Sequence, residues 1–340
     1  MESISIATAS GVTNKVVVLV MGATATGKSK LAVDLALHFG GEVINSDKIQ
    51  VHDGLDVVTN KVTAGERRGV AHHLIGGVGP DVDYTAADFC RDAARCVESV
   101  IARGHLPIIA GGSNTYIKAL LDGGESPGFR RRYQCCFLWV DAELPVLNRY
   151  IRDRVDSMLE QGLVDEVRPF FRPDADYSSG IWRAIGVPEM DTYYRHEAMG
   201  DDELRARLLA AAVEEIKANT CRLARRQVGK IHRLCDLPEW SIRQLDVTEV
   251  LYLKVRRNAR DPEAERDAWE ADVAGPAAMV VGTFLAANIV ANKGTVVSSR
   301  SRPKMWLGQA FAQRKGDGTP CVAQLEKEVV SPFEAAAAVV

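Results

Sequence analysis

The sequence has little excess charge, few cysteines and no long uninterrupted apolar run. Its 42 Lys and Arg residues nearly balance 45 Asp and Glu residues, giving a net charge of −3, which excludes a protein that holds nucleic acid by bulk positive charge. The seven cysteines are odd in number and form no CxxC pair, so we interpret them as reduced thiols of an intracellular protein. The longest apolar stretch, residues 277–291, is interrupted by Gly282 and Asn288 and is shorter than the ~20 residues that span a bilayer. The sequence therefore predicts no transmembrane segment and no membrane partner.

The composition is that of an ordinary globular protein. A chain of 340 residues, 46% hydrophobic and 26% charged, can bury a core without a metal or disulfide bridges. Residues 1–14 contain Ser and Thr, one Glu and no Arg, which is a poor match to a transit peptide. We predict a flexible segment there and a cytoplasmic or plastid protein that is not secreted.

Short apolar strands alternate with helices in the first half of the chain. The β-branched run 15–21 ends in a glycine-rich turn and is followed by an amphipathic helix at 28–39, as expected of a buried parallel strand and its crossover helix. Further strands are predicted at 42–45, 106–110 and 134–141, and further helices at 88–103 and from Gly112 through Leu121. This alternation predicts an α/β fold, a doubly wound parallel sheet with flanking helices and ligands at the carboxyl ends of the strands.

The second half of the chain is more helical and more charged. Residues 145–171 and 202–234 have long charged helical patterns, so we expect one P-loop domain over 15–260 whose helical part, about 145–235, covers the substrate. Residues 261–340 are expected to form a C-terminal helix and a weakly structured tail.

The strongest motif follows the first strand. Residues 22–29 fit GxxxxGK[ST] between a buried strand and a helix, which is the context of a phosphate-binding loop. In such a loop the backbone N–H groups converge on a phosphate, Lys28 adds a positive charge, and the Ser29 hydroxyl can ligate a phosphate-bound Mg²⁺. The candidate phosphate-binding residues are Gly22, Ala23, Thr24, Ala25, Thr26, Gly27, Lys28 and Ser29.

A second candidate lies at the end of the second predicted strand. Asp47 is placed close to the phosphate loop in any doubly wound sheet. The residues alone allow three roles for its carboxylate: a Mg²⁺ ligand, a general base toward a nucleophile, or, with Ser46, a helix cap.

Several segments in the same order resemble a known family. They are GATATGKS at 22–29, INSDKIQVHDGLDVVTNKVT at 44–63, ERRGVAHHLIG at 66–76, DYTAADFCRDA at 83–93, LPIIAGGSNTYIKALL at 106–121, RAIGVPE at 183–189 and NTCRLARRQ at 219–227. Over roughly Val16 to Val250 the chain is similar to isopentenyltransferases that prenylate the exocyclic amine of adenine. The segments DKIQV and TNKVT resemble those of the plant adenylate isopentenyltransferase branch, which makes cytokinins.

The resemblance implies a reaction in which a dimethylallyl group moves and no phosphate is transferred. Asp47 matches the carboxylate that accepts the proton of the adenine amine as this amine attacks dimethylallyl diphosphate. Lys28, Mg²⁺ near Ser29, and Arg183 are implied to hold the departing diphosphate. Ser113 occupies the position of a Thr in the tRNA-modifying relatives, and its hydroxyl is expected to position Asp47 or the amine.

The choice of acceptor depends on the length of chain between the helix that ends at Leu121 and the strand that begins at Gln134. The tRNA-modifying relatives carry a large helical insertion before the strand at 134, whereas only residues 122–133 precede it here. The C-terminal part also has no His after His232, so the zinc finger of eukaryotic tRNA enzymes is not expected. We therefore expect a monomer that prenylates ADP or ATP, with AMP as a further candidate, and does not use tRNA. Arg226 in a basic helical stripe is the best candidate for binding the nucleotide phosphates. The alternatives are a tRNA dimethylallyltransferase and a small-molecule P-loop kinase.

Overall fold

The structure is a computed structural model, which describes residues 15–123, 128–197, 201–256 and 261–293. The predicted flexible segment 1–14 and the predicted tail after residue 293 lie outside the described residues. The predicted domain limits stay a prediction.

Six parallel strands form a single sheet, which confirms the predicted α/β class. In chain order they are β1 (Val16–Gly22), β2 (Gly41–Asn45), β3 (His72–His73), β4 (Leu106–Gly111), β5 (Gln134–Asp141) and β6 (Ile242–Asp246). Their order across the sheet is β3-β2-β4-β1-β5-β6. Four of these strands match the predicted segments to within one residue, and β3 and β6 were not predicted.

The helices cover both faces of the sheet and extend beyond it. They are α1 (Lys28–Phe39), α2 (Ala64–Arg67), α3 (Ala86–Ala102), α4 (Asn114–Asp122), α5 (Phe129–Arg132), α6 (Leu144–Glu160), α7 (Leu163–Val167), α8 (Asp191–His196), α9 (Asp202–Cys235), α10 (Thr248–Val255), α11 (Pro262–Trp269) and α12 (Gly275–Lys293). The predicted helical part thus consists mainly of α6 and the 34-residue α9. Short 3₁₀ turns, one of them Gly180–Arg183, lie between α7 and α8.

The central strand positions the phosphate loop. All seven residues of β1 are buried, because this apolar run is covered by helices on both faces of the sheet. Val18 pairs with Ile108 of β4 on one side and with Cys136 of β5 on the other. The loop that leaves β1 therefore emerges between the carboxyl ends of β4 and β5.

Two apolar cores are present among the described residues. The larger one lies around the sheet and includes α1, α3, α4 and the inner side of α12. The second is formed by the helical part, with Val155, Ile181, Met190 and Ile216 among its buried residues. The space between the two cores is where the candidate site lies.

The C-terminal helices form one long helical run. Residues 262–290 comprise 29 residues, with a mean hydropathy of 1.8 in the most apolar window and 17% of that window buried. By length and composition this run could span a bilayer, which contradicts our expectation that the apolar segment is too short. The apolar part of the run lies almost entirely after α11, because α11 itself carries four charged residues. Trp269, Val273, Ala277 and Val281 nevertheless belong to the sheet core, so one side of the run packs against the protein.

A charged cluster lies at the amino end of β2, whereas the phosphate loop follows the carboxyl end of β1. Glu42, near the start of β2, is buried and accepts hydrogen bonds from Arg103 at 2.6 and 2.9 Å. His73 Nε2 and His105 Nδ1 lie 2.6 and 2.5 Å from its two carboxylate oxygens. These contacts, with Arg103 contributing most, lower the pKa of Glu42 to about 2.

Candidate active site

The phosphate loop has the conformation that its glycine pattern predicts. Gly27 has φ of 87° and immediately precedes α1, a left-handed conformation that favours glycine. The Thr26 hydroxyl donates to the Ala23 carbonyl at 3.0 Å, and Lys28 Nζ donates to the same carbonyl. The turn is thus closed by its own side chains, and the amino end of α1 opens toward the site.

Two half-buried cations, Lys28 and Arg154, lie at this loop. The pKa of Lys28 is lowered to about 8, mainly by burial; the Asp47 carboxylate opposes this shift and the Arg154 guanidinium adds to it. Arg154, on α6, donates through Nη2 to the Thr24 hydroxyl at 2.9 Å, and burial also lowers its pKa. Its Nε is buried and has no hydrogen-bond partner in the described chain. Two cations confined in this way favour an anionic ligand, because such a ligand offsets the cost of burying them.

Asp47 forms a tight turn directly after β2. Its Oδ1 accepts the backbone N–H groups of Ile49 at 2.9 Å and Gln50 at 3.3 Å. The capping role that the sequence allowed is therefore present in a turn, although no helix begins here. None of the described residues donates a hydrogen bond to the other carboxylate oxygen, Oδ2, which leaves one lone-pair face of Asp47 for a ligand.

Ser113 lies beside this turn. Its hydroxyl accepts the Lys48 backbone N–H at 3.1 Å, and the Ser113 N–H donates to the Ser46 carbonyl at 3.3 Å. Ser113 thus holds the backbone next to Asp47, and it is not part of the cavity wall described below.

A glutamine on α9 connects the phosphate loop to the Gly-Gly turn after β4. Gln227 is buried; its Oε1 accepts the Thr24 N–H at 2.8 Å and its Nε2 donates to the Gly112 carbonyl at 3.0 Å. A Cβ at Gly112 would lie under 3.0 Å from Gln227 Nε2. Glycine at this position therefore allows the close approach that the bridge requires.

A cavity of about 990 Å³ brings these groups together. Its polar wall includes residues 24–29 of the phosphate loop, Asp47, Arg154, Arg183 and Arg226. Its apolar wall comes mainly from α6, α9 and the segments beside them, with Val58, Val155, Met158, Leu163, Ile185, Ile216 and Leu223 as members. The cavity thus has an anion-binding end next to an apolar compartment.

The basic groups at the mouth of the cavity are only partly those expected. Of the basic residues in the predicted stripe on α9, Arg226 lines the cavity, while Arg222, Arg225, Lys230 and Arg233 are exposed outside its wall. Burial lowers the pKa of Lys48, and the charges of Arg183, Lys230 and Arg226 contribute to the shift. Lys48 is therefore a further cation near Arg226.

The C-terminal helices close the other side of the phosphate loop. The Trp269 ring lies against Gly27, where an added Cβ would be 3.0 Å from it. Its Nε1 donates to Asp34 Oδ2 at 2.9 Å, and Lys30 Nζ lies 3.8 Å from the ring centroid. Trp269 also lines the cavity, so α11 is part of the site.

The donor set suits a magnesium ion that is held mainly by a substrate. The described residues contain no group of three or more His, Cys, Asp or Glu side chains that could bind a metal. Ser29 lines the cavity, and its hydroxyl is the kind of oxygen ligand that Mg²⁺ accepts beside substrate phosphates. The residues present therefore fit a Mg²⁺ ion carried by a diphosphate, with Ser29 as its protein ligand.

The structure brings Asp47, Lys28, Ser29, Arg183 and Arg226 to one cavity, as the sequence predicted. Sequence reasoning missed Arg154, Gln227 and Trp269, whose side chains contact the phosphate loop from distant helices. Of these three residues, only Gln227 lies in a segment that resembles the family, since it ends NTCRLARRQ.

The fold and this site define a class: a P-loop protein with a phosphate-binding loop, a facing carboxylate and an apolar compartment. The family model described as IPP transferase matches residues 50–131 and 124–232. Adenylate isopentenyltransferase 3, chloroplastic, of Arabidopsis thaliana is 53% identical over 270 residues, 79% of each chain. Adenylate isopentenyltransferase of Humulus lupulus is 43% identical over 295 residues, 78% of this chain and 89% of the relative. This chain belongs to the IPP transferase family, which confirms the resemblance and the predicted class of enzyme.

A solved structure supports the fold. A eukaryotic dimethylallyltransferase acting on tRNA superimposes with a TM-score of 0.65 at 23% identity, covering 80% of each chain.

Proposed function

We propose that this enzyme transfers the dimethylallyl group of dimethylallyl diphosphate to the exocyclic amine of adenine in ADP or ATP, releases diphosphate, and so supplies the first intermediate of a cytokinin. The observation that carries the proposal is the cavity itself, which is lined by an anion-binding loop, the Asp47 carboxylate and an apolar compartment. The relatives at 53% and 43% identity are named adenylate isopentenyltransferases, which supports an adenine nucleotide as acceptor.

The phosphate loop end of the cavity would bind the diphosphate of the donor. Lys28, Arg154 and Arg183 supply positive charge there, and Mg²⁺ bound through Ser29 would supply additional charge stabilisation when present. As the C–O bond of the donor breaks, its electron pair remains on the diphosphate oxygen. Fixed cations stabilise this developing charge more than they stabilise the ground state.

The apolar wall would hold the dimethylallyl group. Its aliphatic side chains exclude water from the allylic carbon, which protects a carbon with developing positive charge from hydrolysis. The adenine amine attacks this carbon to form the new C–N bond. The proton lost from the amine moves to Asp47, whose Oδ2 has no hydrogen bond from the described residues.

The nucleotide phosphates would lie on the exposed cations at the mouth. Arg226 has no ion pair or hydrogen bond with another described residue, so its guanidinium is available for a phosphate. The connection between α4 and β5 is limited to residues 123–133, which leaves little chain there to hold an anticodon stem. We therefore propose a free nucleotide as the acceptor, in place of tRNA, for a monomeric enzyme.

The decisive assay offers the purified protein dimethylallyl diphosphate, Mg²⁺, and equal amounts of AMP, ADP, ATP and unmodified tRNA. We expect a mass increase of one C5H8 unit on ADP or ATP together with diphosphate release. Label on tRNA would overturn the acceptor assignment, and phosphate transfer from ATP without prenylation would indicate a P-loop kinase.

The role of Asp47 is tested by Asp47→Asn, which keeps an oxygen for the turn but removes the base. We expect kcat to fall by about 10²–10⁴-fold with an unchanged melting temperature. Asp53→Asn is the matched control, because Asp53 accepts the Gly77 N–H at 2.7 Å in the same segment and lies outside the cavity. Wild-type activity in Asp47→Asn would refute the mechanism.

The compartment is a separate proposal. The Arabidopsis thaliana relative at 53% identity is named chloroplastic, so we propose a plastid location, with the cytoplasm as the alternative. A fluorescent fusion to the full chain distinguishes the two.

A further inference from the structure

The segment that precedes α3 is attached to the 3₁₀ turn that carries Arg183. The Ile181 N–H donates to the Pro80 carbonyl at 2.9 Å, and the Gly180 N–H donates to Asp83 Oδ1 at 3.0 Å. Gly180 has φ of +51°, and an added Cβ there would overlap the Pro80 carbonyl oxygen. The two segments are thus joined by two hydrogen bonds, and the close approach at Gly180 leaves no room for a side chain there.

Asp83 also contacts Arg183 directly. Asp83 Oδ1 lies 3.1 Å from Arg183 Nη2, while Arg183 Nε donates to the Gly180 carbonyl at 3.3 Å. Together with the Gly180 N–H bond to the same carboxylate oxygen, these contacts form a closed ring. The guanidinium cannot turn about its terminal torsions without breaking at least one of them.

The location of this ion pair argues against a role in stability. The Arg183 side chain is 28% exposed and the Asp83 side chain 58% exposed, and exposed ion pairs contribute little to folding. Arg183 lines the cavity, whereas Asp83 is outside its wall. Because Asp83 contacts Arg183 from outside the cavity wall, its carboxylate can orient the guanidinium without touching a ligand.

We infer that Asp83 is a positioning residue, which holds the Arg183 guanidinium in the orientation that binds the diphosphate of the donor. The inference rests on the proposed function, since it takes Arg183 as a diphosphate ligand. A free arginine side chain populates many rotamers, and fixing one of them in advance removes that entropic cost from the transition state. The remaining N–H groups of Arg183 stay available to the ligand, because the guanidinium has five donors.

Asp81 provides a matched control on the same segment. It accepts the Trp182 indole N–H at 3.1 Å and lies 3.4 Å from Arg172, so it joins the same two segments. No described contact links Asp81 to Arg183. A loss of activity that arises only from loosening the segment should therefore appear in both Asp81→Ala and Asp83→Ala.

The experiment measures kcat and KM for dimethylallyl diphosphate at saturating nucleotide. We expect kcat/KM to fall about tenfold in Asp83→Ala, within about threefold of wild type in Asp83→Asn, and within about twofold in Asp81→Ala, since a single hydrogen bond to a charged group has about this effect. The Asn variant keeps the oxygen that accepts from Gly180 and Arg183, so it should rescue most of the loss. Equal losses in the two Ala variants would refute the inference.

A double-mutant cycle separates this inference from the proposed function. If Asp83 acts through Arg183, adding Asp83→Ala to Arg183→Ala should cause no further loss. A further tenfold loss in that background would overturn the positioning role while leaving the role of Arg183 intact. Full activity in Arg183→Ala would instead overturn both the positioning role of Asp83 and the role of Arg183 as a diphosphate ligand, while the proposed reaction would stand. Where Asp83→Ala does not fold, Asp83→Asn takes its place in the cycle, with the smaller expected loss.

Discussion

The bridge made by Gln227 leads to a quantitative prediction for Gly112→Ala. The added methyl group must displace the Gln227 amide, because it would lie under 3.0 Å from Nε2. The end of a glutamine side chain can move, so the cost is not a rigid overlap. It is the loss of the two hydrogen bonds to Thr24 and Gly112, at 2.8 and 3.0 Å.

The magnitude follows from those two bonds. At roughly 0.5–1.5 kcal/mol each, the free energy of unfolding should fall by about 1–3 kcal/mol, which lowers the melting temperature by roughly 3–10 °C in a domain of this size. The KM for dimethylallyl diphosphate should also rise several-fold, because Thr24 lies in the loop that binds it.

The assay combines thermal melting, urea denaturation and steady-state kinetics. Gly229→Ala, two residues from Gln227 on α9, is the control, since an added Cβ there meets nothing within 4 Å; it should be neutral or stabilise the helix by about 0.5–1 kcal/mol. In a Gln227→Ala background, Gly112→Ala should cost almost nothing further. An unchanged melting temperature and KM in Gly112→Ala, or equal costs in both backgrounds, would show that the bridge does not hold the loop.

Three further predictions concern charged groups. Because the pKa of Lys28 lies at about 8, Lys28 carries its charge below that pH; the KM for dimethylallyl diphosphate should rise above pH 8 in the wild type and stay flat in Lys28→Arg. Arg154→Met should raise the same KM about tenfold without lowering the melting temperature, since an apolar side chain can replace a buried charge without loss of stability; a lower melting temperature with unchanged KM would contradict this. Glu42→Gln should lower the free energy of unfolding at pH 7 by about 1–3 kcal/mol. Because the pKa of Glu42 is lowered from 4.5 to about 2, this difference should shrink as pH falls through that range, and a constant difference in urea titrations would disprove the role of its ionised form.

The phosphate loop and its flanking elements were predictable because their signals are local. An apolar run, a glycine-rich turn and an amphipathic helix follow one another in 15–39, and the structure matches them to within one residue. Asp47 was predictable for the same reason, since it directly follows a strand whose carboxyl end must lie at the site.

Two strands were missed because they lack that signal. Ile242–Asp246 is an edge strand with only Leu245 buried, and its charged residues resemble a loop. His72–His73 has two residues, which is too short for a period-2 pattern. Both add to the edges of the sheet and leave the predicted centre unchanged.

The missed site residues depend on tertiary packing. Arg154 lies on α6 among other arginines, and nothing in its sequence neighbourhood distinguishes it from the exposed Arg152. Its burial against Thr24 arises only when α6 packs over the loop. The same holds for Trp269, which meets Gly27 across a separation of more than 200 residues.

That separation has a consequence for the order in which the enzyme is made. The ribosome produces the phosphate loop near the start of the chain, whereas the tryptophan that packs on Gly27 is among the last residues of the described fold to be synthesised. The nascent chain therefore carries the complete phosphate loop for most of its synthesis without α11, the helix that covers this loop. Donor binding should appear only after α11 leaves the exit tunnel, so translation that stops before this helix should yield a chain with the sheet but without a finished diphosphate site.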